Sequence, residues 1–231
     1  IDDNKIIHSS AFVFNTSLEI IEINSGKSLR GNISSLFNGN PNLTQVHLAN
    51  NAFTGSPPNF LNNSNLIEVN LSNNQLDGII PSYTGSIQIL KLFNNQLTQI
   101  NTPGTLASLR NYQAHNNTIA GSVPDFSSCP NLRELTLNIN RFTGYTSGAF
   151  VSLYYINYID LSFNHLSSTA LDNILVDLLN NYKSVKRGGV VVNLKNQTPV
   201  GNPNTKFRPS ETGYAAAREL VNTAKWSIGL T

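Results

Sequence analysis

Four histidines, His8, His47, His115 and His165, and the single cysteine Cys129 carry most of the capacity for nucleophilic or metal chemistry in this 231-residue chain. No two histidines stand three or four residues apart, the spacing that sets two ligands on one helix face. No H-E-x-x-H, C-x-x-C, G-x-S-x-G or phosphate-binding glycine loop occurs. Cys129 lies in SSCPNL, where a free cysteine reads as a small buried filler rather than a nucleophile. The sequence therefore predicts a non-enzyme, with no catalytic residue, no metal ligands and no cofactor.

Composition narrows the remaining classes. Charged residues make up 12% of the chain, against about 25% in average soluble proteins, while asparagine alone occurs 35 times. The surface must be polar through amides and hydroxyls. A net charge of +2 with scattered Lys and Arg offers no basic stripe for phosphates, so nucleic acid is excluded as an expected partner. No apolar run reaches the roughly 18 residues that span a bilayer, and no membrane insertion is expected. One cysteine rules out an intrachain disulfide framework. Seven N-x-S/T sequons, at Asn15, Asn32, Asn42, Asn62, Asn70, Asn116 and Asn196, are what so much Asn, Ser and Thr produces by composition alone. Because the sequence opens on Ile1 without a leader pattern, it reads as a piece excised from a longer chain.

The elements that must position any functional residue repeat along the chain. The stretch LIEVNLSNNQLDGIIP at residues 66–81 places Leu66, Val69, Leu71, Asn74, Leu76 and Gly78 at spacings that return from Leu43 to Leu166. The recurrent asparagines are Asn51, Asn74, Asn95, Asn117, Asn140 and Asn164, at intervals of 21 to 24 residues. A looser copy runs Leu18, Ile21, Ile23 with Gly26 in the Asn place, and a last one reads Val192, Leu194, Gln197. Alternate residues of a strand face opposite sides, so the two leucines of each L-x-L unit enter a core together. The Asn then turns the chain inward, and its amide can satisfy backbone groups that no strand partner reaches. Gly at 55, 78, 121 and 144 suits a tight turn, and Pro at 58, 81 and 124 suits the extended segment after it.

This pattern resembles the leucine-rich repeat, and tails such as NNAFTGSPP, NNQLDGIIP and NNTIAGSVP resemble its plant-type subclass. That resemblance implies a right-handed α/β horseshoe solenoid. Short parallel strands would line its concave face, with loops, 3-10 turns or short helices outside. Receptor and inhibitor members of the subclass recognise ligands outside the cell, though the paired-cysteine caps of the plant proteins are missing here. The expected organisation is a lead-in or cap over 1–17, about seven turns over 18–169, and a helix, last strand and cap over 170–231. Leu171, Ile174, Leu175, Leu178, Leu179 and Tyr182 predict one amphipathic helix, N-capped by Ser168 or Thr169. A strand from Gly189 to Leu194 should follow. A second helix over 210–224, with Ala217, Leu220, Val221 and Ala224 on one face, precedes a final strand holding Trp226 and Ile228. The order of this C-terminal module also resembles leucine-rich domains of phage structural or tail proteins and bacterial surface proteins.

Between the fixed positions lie residues that the scaffold does not dictate. Laid side by side, they give a central file of Glu22, His47, Asn70, Lys91, Gln113, Thr136, Asp160 and Asn193. Phe93 and His115 stand in a flanking file, Tyr158 in the other, and Phe163 follows the strand. The expected binding surface is His47, Asn70, Lys91, Phe93, Gln113, His115, Thr136, Tyr158, Asp160 and Phe163. The nearest acids of the concave face, Glu134 and Asp160, sit on neighbouring strands of an open face rather than in a hydrolase pocket. The reading is a recognition or adhesion module for a protein or cell-surface glycan, extracellular, in a virion such as a phage tail or in a cell-surface protein. The alternative is a structural assembly module whose partners are other chains of the same particle.

Overall fold

The computed structural model describes residues 6–8, 11–12, 15–24, 26, 29–202 and 204–230. Much of the expected lead-in over 1–17 lies outside them. In chain order the first strands are β1 (Ile20–Glu22), β2 (Arg30–Asn32), β3 (Gln45–His47), β4 (Ala52–Thr54), β5 (Glu68–Asn70), β6 (Ile79–Ile80), β7 (Ile89–Lys91) and β8 (Gln99–Ile100). Then come β9 (Asn111–Gln113), β10 (Ala120–Val123), β11 (Glu134–Thr136), β12 (Arg141–Tyr145) and β13 (Tyr158–Asp160). Helix α1 (Ser168–Val185), β14 (Val191–Asn193), α2 (Glu211–Ala224) and β15 (Ser227–Gly229) complete the chain.

Nine of these strands form one parallel sheet in the order β1-β3-β5-β7-β9-β11-β13-β14-β15. Each step advances one turn of a solenoid. In the inner strands of the repeats the middle residue is buried: Val46, Val69, Leu90, Tyr112, Leu135 and Ile159. The register sets Glu22, His47, Asn70, Lys91, Gln113, Thr136, Asp160 and Asn193 in one file on the opposite face. On the outer side the described residues form turns and three two-stranded parallel ladders, β2–β4, β6–β8 and β10–β12. Short helices do not develop there, because a turn of 21 to 24 residues leaves little chain outside and its Gly-x-x-Pro tail holds that chain extended. Gly78 has φ 74°, and a Cβ there would strike Ser56 Oγ of the preceding turn, so this position requires glycine.

Rings from successive turns follow one another through the core. Phe12, Phe37, Phe60 and Tyr83 follow one another with centroids 6.2, 5.9 and 6.0 Å apart, and Phe126 and Phe150 continue at 6.5 Å. The segment 101–107 between them supplies no ring. Tyr112, in an inner-strand core position, instead meets Phe126 edge-on at 5.2 Å. The hydroxyls of Tyr83 and Tyr112 are buried with no hydrogen-bond partner among the described residues.

One side chain per turn stitches the corners. Asn95 Nδ2 donates to the carbonyls of Leu71, Leu92 and Phe93 at 3.0, 3.1 and 3.3 Å, while its Oδ1 accepts from Leu76 N at 3.0 Å. Asn74, Asn117, Asn140 and Asn164 repeat all four contacts with their own neighbours. Asn51 makes the three donor contacts, to Ile23, Leu48 and Ala49. Gln197 takes over in the last copy, donating to Leu161, Leu194 and Lys195 and accepting from Leu166 N.

Polar contacts anchor the described segments that flank the repeats. Asn40 Nδ2 holds the carbonyls of Phe12 and Asn15, each at 2.8 Å, against the first turn. At the other end α1 starts one residue earlier than its apolar pattern suggests: Ser167 is the N-cap, its hydroxyl accepting from Ala170 N at 3.2 Å. Asp177, buried on α1, accepts from Tyr145 OH and Gly148 N, both at 2.6 Å. Asn181, one helical turn on, donates to the carbonyls of Phe150 and Val151. These two polar residues tie α1 to the outer segment of the last turn. Helix α2 packs on α1 through Gly213, Ala216, Ala217, Leu220 and Ala224. Ser210, at the N-cap place of α2, ties the helix to α1: Asp172 accepts from the Ser210 N–H at 2.8 Å and hydroxyl at 2.5 Å. With the α1-facing residues forming the buried face of α2, Val221 falls beside it and is 42% exposed rather than on it. Trp226 is core, donating from Nε1 to Arg187 O at 2.8 Å, and the final strand begins after it.

Asn95→Ala strands backbone groups at a part-buried corner and should lower stability by roughly 1 to 3 kcal/mol. Lys91→Ala removes one partly exposed ion pair to Glu68 and should cost about 1 kcal/mol or less. Equal melting temperatures for the two variants in thermal denaturation would refute the assignment of the corner amides. Tyr112→Phe removes an unpaired buried hydroxyl and should leave the melting temperature unchanged or raise it.

Candidate functional site

The concave face over β7 to β13 carries a connected set of side chains. The rings of Phe93 and His115 stack with centroids 4.6 Å apart and planes 7° from parallel. His115 Nδ1 lies 3.1 Å from Thr136 Oγ1. Beside them Glu134 accepts from Asn111 Nδ2 at 2.8 Å and from Gln113 Nε2 at 2.7 Å. Asp160 accepts from Ser162 N–H and hydroxyl at 2.9 and 2.6 Å, and from Tyr158 OH at 3.1 Å. On the earlier turns Glu68 lies between Lys91, with Nζ 3.3 Å from Oε1, and His47, with Nε2 3.6 Å from the same oxygen.

The surroundings hold His115 and Tyr158 towards their neutral forms. Burial holds the His115 imidazole below its ordinary pKa of 6.5, against the opposite pull of Asp160 and Glu134. Burial, then the Asp160 carboxylate, holds the Tyr158 phenol above its usual 10. Burial also pushes the Cys129 thiol up to about 11, so it carries almost no nucleophilic thiolate at neutral pH. The two acids nearest to a catalytic pair, Glu134 and Asp160, are both occupied as acceptors. Among the described residues no group of three or more His, Cys, Asp or Glu could hold a metal ion.

The Leucine Rich Repeat family model matches residues 42–64 and 65–87. The PEPR1-AtPEP1 crystal structure aligns over 87% of this chain and 29% of its own, with a TM-score of 0.65 and 24% identity. The fold is a leucine-rich-repeat solenoid. The plant peptide hormone receptor RGFR1 in complex with RGF2 aligns over 82% and 34%, at a TM-score of 0.58 and 23% identity. The LRR ectodomain of the plant membrane receptor kinase GASSHO1/SCHENGEN3 from Arabidopsis thaliana, in complex with CASPARIAN STRIP INTEGRITY FACTOR 2, aligns over 94% and 27%, at 0.56 and 16%. The solenoid thus spans about a third or less of the chains it resembles. No curated protein matches its sequence.

Within the solenoid the expected site residues fall into distinct groups. Lys91, Phe93, Gln113, His115 and Tyr158 are half-buried and open to the concave side. Thr136 and Asp160 are only 7% and 8% exposed, and so contribute less surface than their file position suggests. His115 lies against Thr136, and Asp160 folds back on Ser162. Asn70 likewise accepts with Oδ1 from the N–H and hydroxyl of Ser72, closing its own strand end. His47 is half-buried two turns away from the ring pair, beside Glu68. Phe163 is 56% exposed, but it stands where the chain leaves the strand rather than on the sheet.

That outgoing rim contains a residue the sequence pattern did not single out. The position before each corner amide has φ between 52° and 59°, at Asn50, Asn73, Asn94, Asn116, Ile139, Phe163 and Asn196. Asparagine tolerates the left-handed region; a β-branched isoleucine does not without strain. Asn94 donates to Asn73 at 2.6 Å and Asn116 to Asn94 at 2.8 Å, and this side-chain chain ends where Ile139, 46% exposed, begins. Its signal was an apolar residue in a file that is otherwise asparagine in five of seven copies.

The pH dependence follows from His115. Its folded pKa lies below the unfolded 6.5, so the unfolded chain binds more protons as pH falls through 6.5, and its contribution to stability is lost there. Denaturant midpoints measured from pH 7.5 down to 5 should fall less steeply for His115→Gln than for the unsubstituted protein.

Proposed function

We propose that the chain is a non-catalytic recognition module that holds an extended polypeptide along its concave face. The observation that carries this reading is the Phe93–His115 ring stack beside the Asn111, Gln113 and Glu134 cluster. Two aromatic faces and unused amide valences stand together where the repeat requires neither, and anchors with a polar surround are what dominate interface energetics. Solenoids commonly bind along the concave surface, and two of the structures resembled here are complexes of plant receptors with named partners. The plant-type repeat tail supports the same reading. No helix among the described residues is long and apolar enough to cross a membrane. We place the module outside the cell, on a cell surface or virion; the virion setting rests on the resemblance of the C-terminal module alone.

A second reading, structural assembly, is favoured by the C-terminal end. There β15 is an edge strand, and Tyr214, Val221, Ile228 and Leu230 line an apolar hollow. Sedimentation equilibrium separates the two: recognition expects a monomer, assembly a concentration-dependent oligomer through β15.

Selection of random dodecapeptides displayed against the intact chain tests the first reading. Enriched peptides should bind about tenfold or more weakly to Phe93→Ala, while the melting temperature of that variant changes little. Failure to enrich any peptide, or binding indifferent to Phe93, would refute the concave placement. Binding only to immobilised glycans would replace the polypeptide with a carbohydrate ligand.

A further inference from the structure

We propose that Arg110 and Arg133 form a clamp for one carboxylate of the polypeptide held on the concave face, an inference that rests on the reading above. Where each turn enters its inner strand, the chain makes an incoming rim of Thr44, Ile67, Gln88, Arg110, Arg133 and Asn157. Each residue from Ile67 onward donates its backbone N–H to the carbonyl of the one before it, always at 2.8 Å. The two arginines therefore start from adjacent strands about 4.8 Å apart. Like charges directly opposed on neighbouring strands are destabilising, and the other four places on this rim are neutral. The described ion pairs are His47–Glu68, Lys91–Glu68, Lys183–Glu219 and Arg218–Glu211. Neither Arg110 nor Arg133 has an ion-pair or side-chain hydrogen-bond partner among the described residues.

Between them lies a hollow of about 160 Å³, lined by Gln88, Ser108, Arg110, Asn131 and Arg133. Every lining side chain carries an N–H or O–H donor, and none is an acid. Asn131 spends one donor on Ala107 O at 2.7 Å; the guanidiniums remain open. Next along the rim Arg187 donates to Asn157 Oδ1, so a third guanidinium borders the same strip. Two planar forks with surrounding donors match the geometry of a carboxylate, which guanidinium binds through paired hydrogen bonds.

The size of the charge selects the ligand. Glu134 directly follows Arg133, and Glu68 and Asp160 lie on the same concave face. A polyanion such as a sulfated glycan would set further negative groups over these acids. A polypeptide with a single Asp or Glu at the rim avoids them, and its neighbouring residues reach the Phe93–His115 stack.

The test uses the intact chain, the double variant Arg110→Gln with Arg133→Gln, and peptides selected as random dodecapeptides. Selected sequences should carry Asp or Glu at a fixed distance from an apolar residue. They should bind the double variant about tenfold more weakly, with a smaller dependence on salt. Replacing the peptide acid by its amide should cost the same factor on the original protein and nothing further on the double variant. Because both arginines are exposed, the variant should melt at or above the original temperature. Peptides that lose affinity on Phe93→Ala but not on the double substitution would sink the clamp and leave the concave reading intact. Peptides that depend on the arginines but not on Phe93 would uphold the carboxylate contact and overturn the concave placement. Arginine-dependent binding of a heparin oligosaccharide without an acid preference among peptides would make the rim a glycan site and overturn the proposal.

Discussion

A parallel solenoid built on three-residue strands has a problem at every corner: the backbone leaves the ladder while still buried, and its polar groups must find partners without water. The primary carboxamide solves it here. An asparagine offers two N–H donors and one carbonyl acceptor on a short stem, and Asn95 uses both kinds to join its own turn to the preceding one. Aspartate would supply no donor and serine too little reach. At the last copy, with the longer Gln197, the same contacts are retained. The surrounding geometry depends on this amide, including the left-handed residue before it.

Once neutral amides satisfy the corners, the chain has little need for charge. Asparagine closes strand ends at Asn70, supports the first two outer turns at Asn40 and Asn63, and links the outgoing rim at Asn73, Asn94 and Asn116. The few acids are mostly engaged. Asp177 and Asp172 tie the terminal helices to the turns and to each other, while Glu134 and Asp160 are acceptors on the concave sheet. Against this background unpartnered cations and exposed rings acquire meaning, because the scaffold gives no reason for them.

The solenoid was legible because its constraints are periodic. The Leu, Val and Ile positions and the corner asparagines return at intervals that only a repeated turn explains, and the residue files follow from strand alternation. Less legible were features that depend on where a side chain folds. Asp160 and Asn70 stand in the central file like Lys91, yet a serine two residues later draws their oxygens back onto the backbone. Tyr112 occupies an ordinary strand position, and only packing shows that it meets Phe126 across the ringless segment. Asp177 and Asn181 interrupt the apolar pattern of α1 as if solvent-facing, although backbone groups of the last turn hold them in the core. Arg110 and Arg133 were not singled out, since they stand one place before the strand files that the repeat pattern lines up.

The regular sheet also imposes arithmetic on anything laid across it. Its files repeat about every 4.8 Å, whereas an extended polypeptide advances about 3.3 Å per residue. Three ligand residues span about 9.9 Å and two strand steps about 9.6 Å, so the two scales come into phase every third residue and every second turn. The surface therefore acts as a vernier. Consecutive residues of an extended chain laid across the files therefore cannot each meet an equivalent position, and a match returns only at the second turn on.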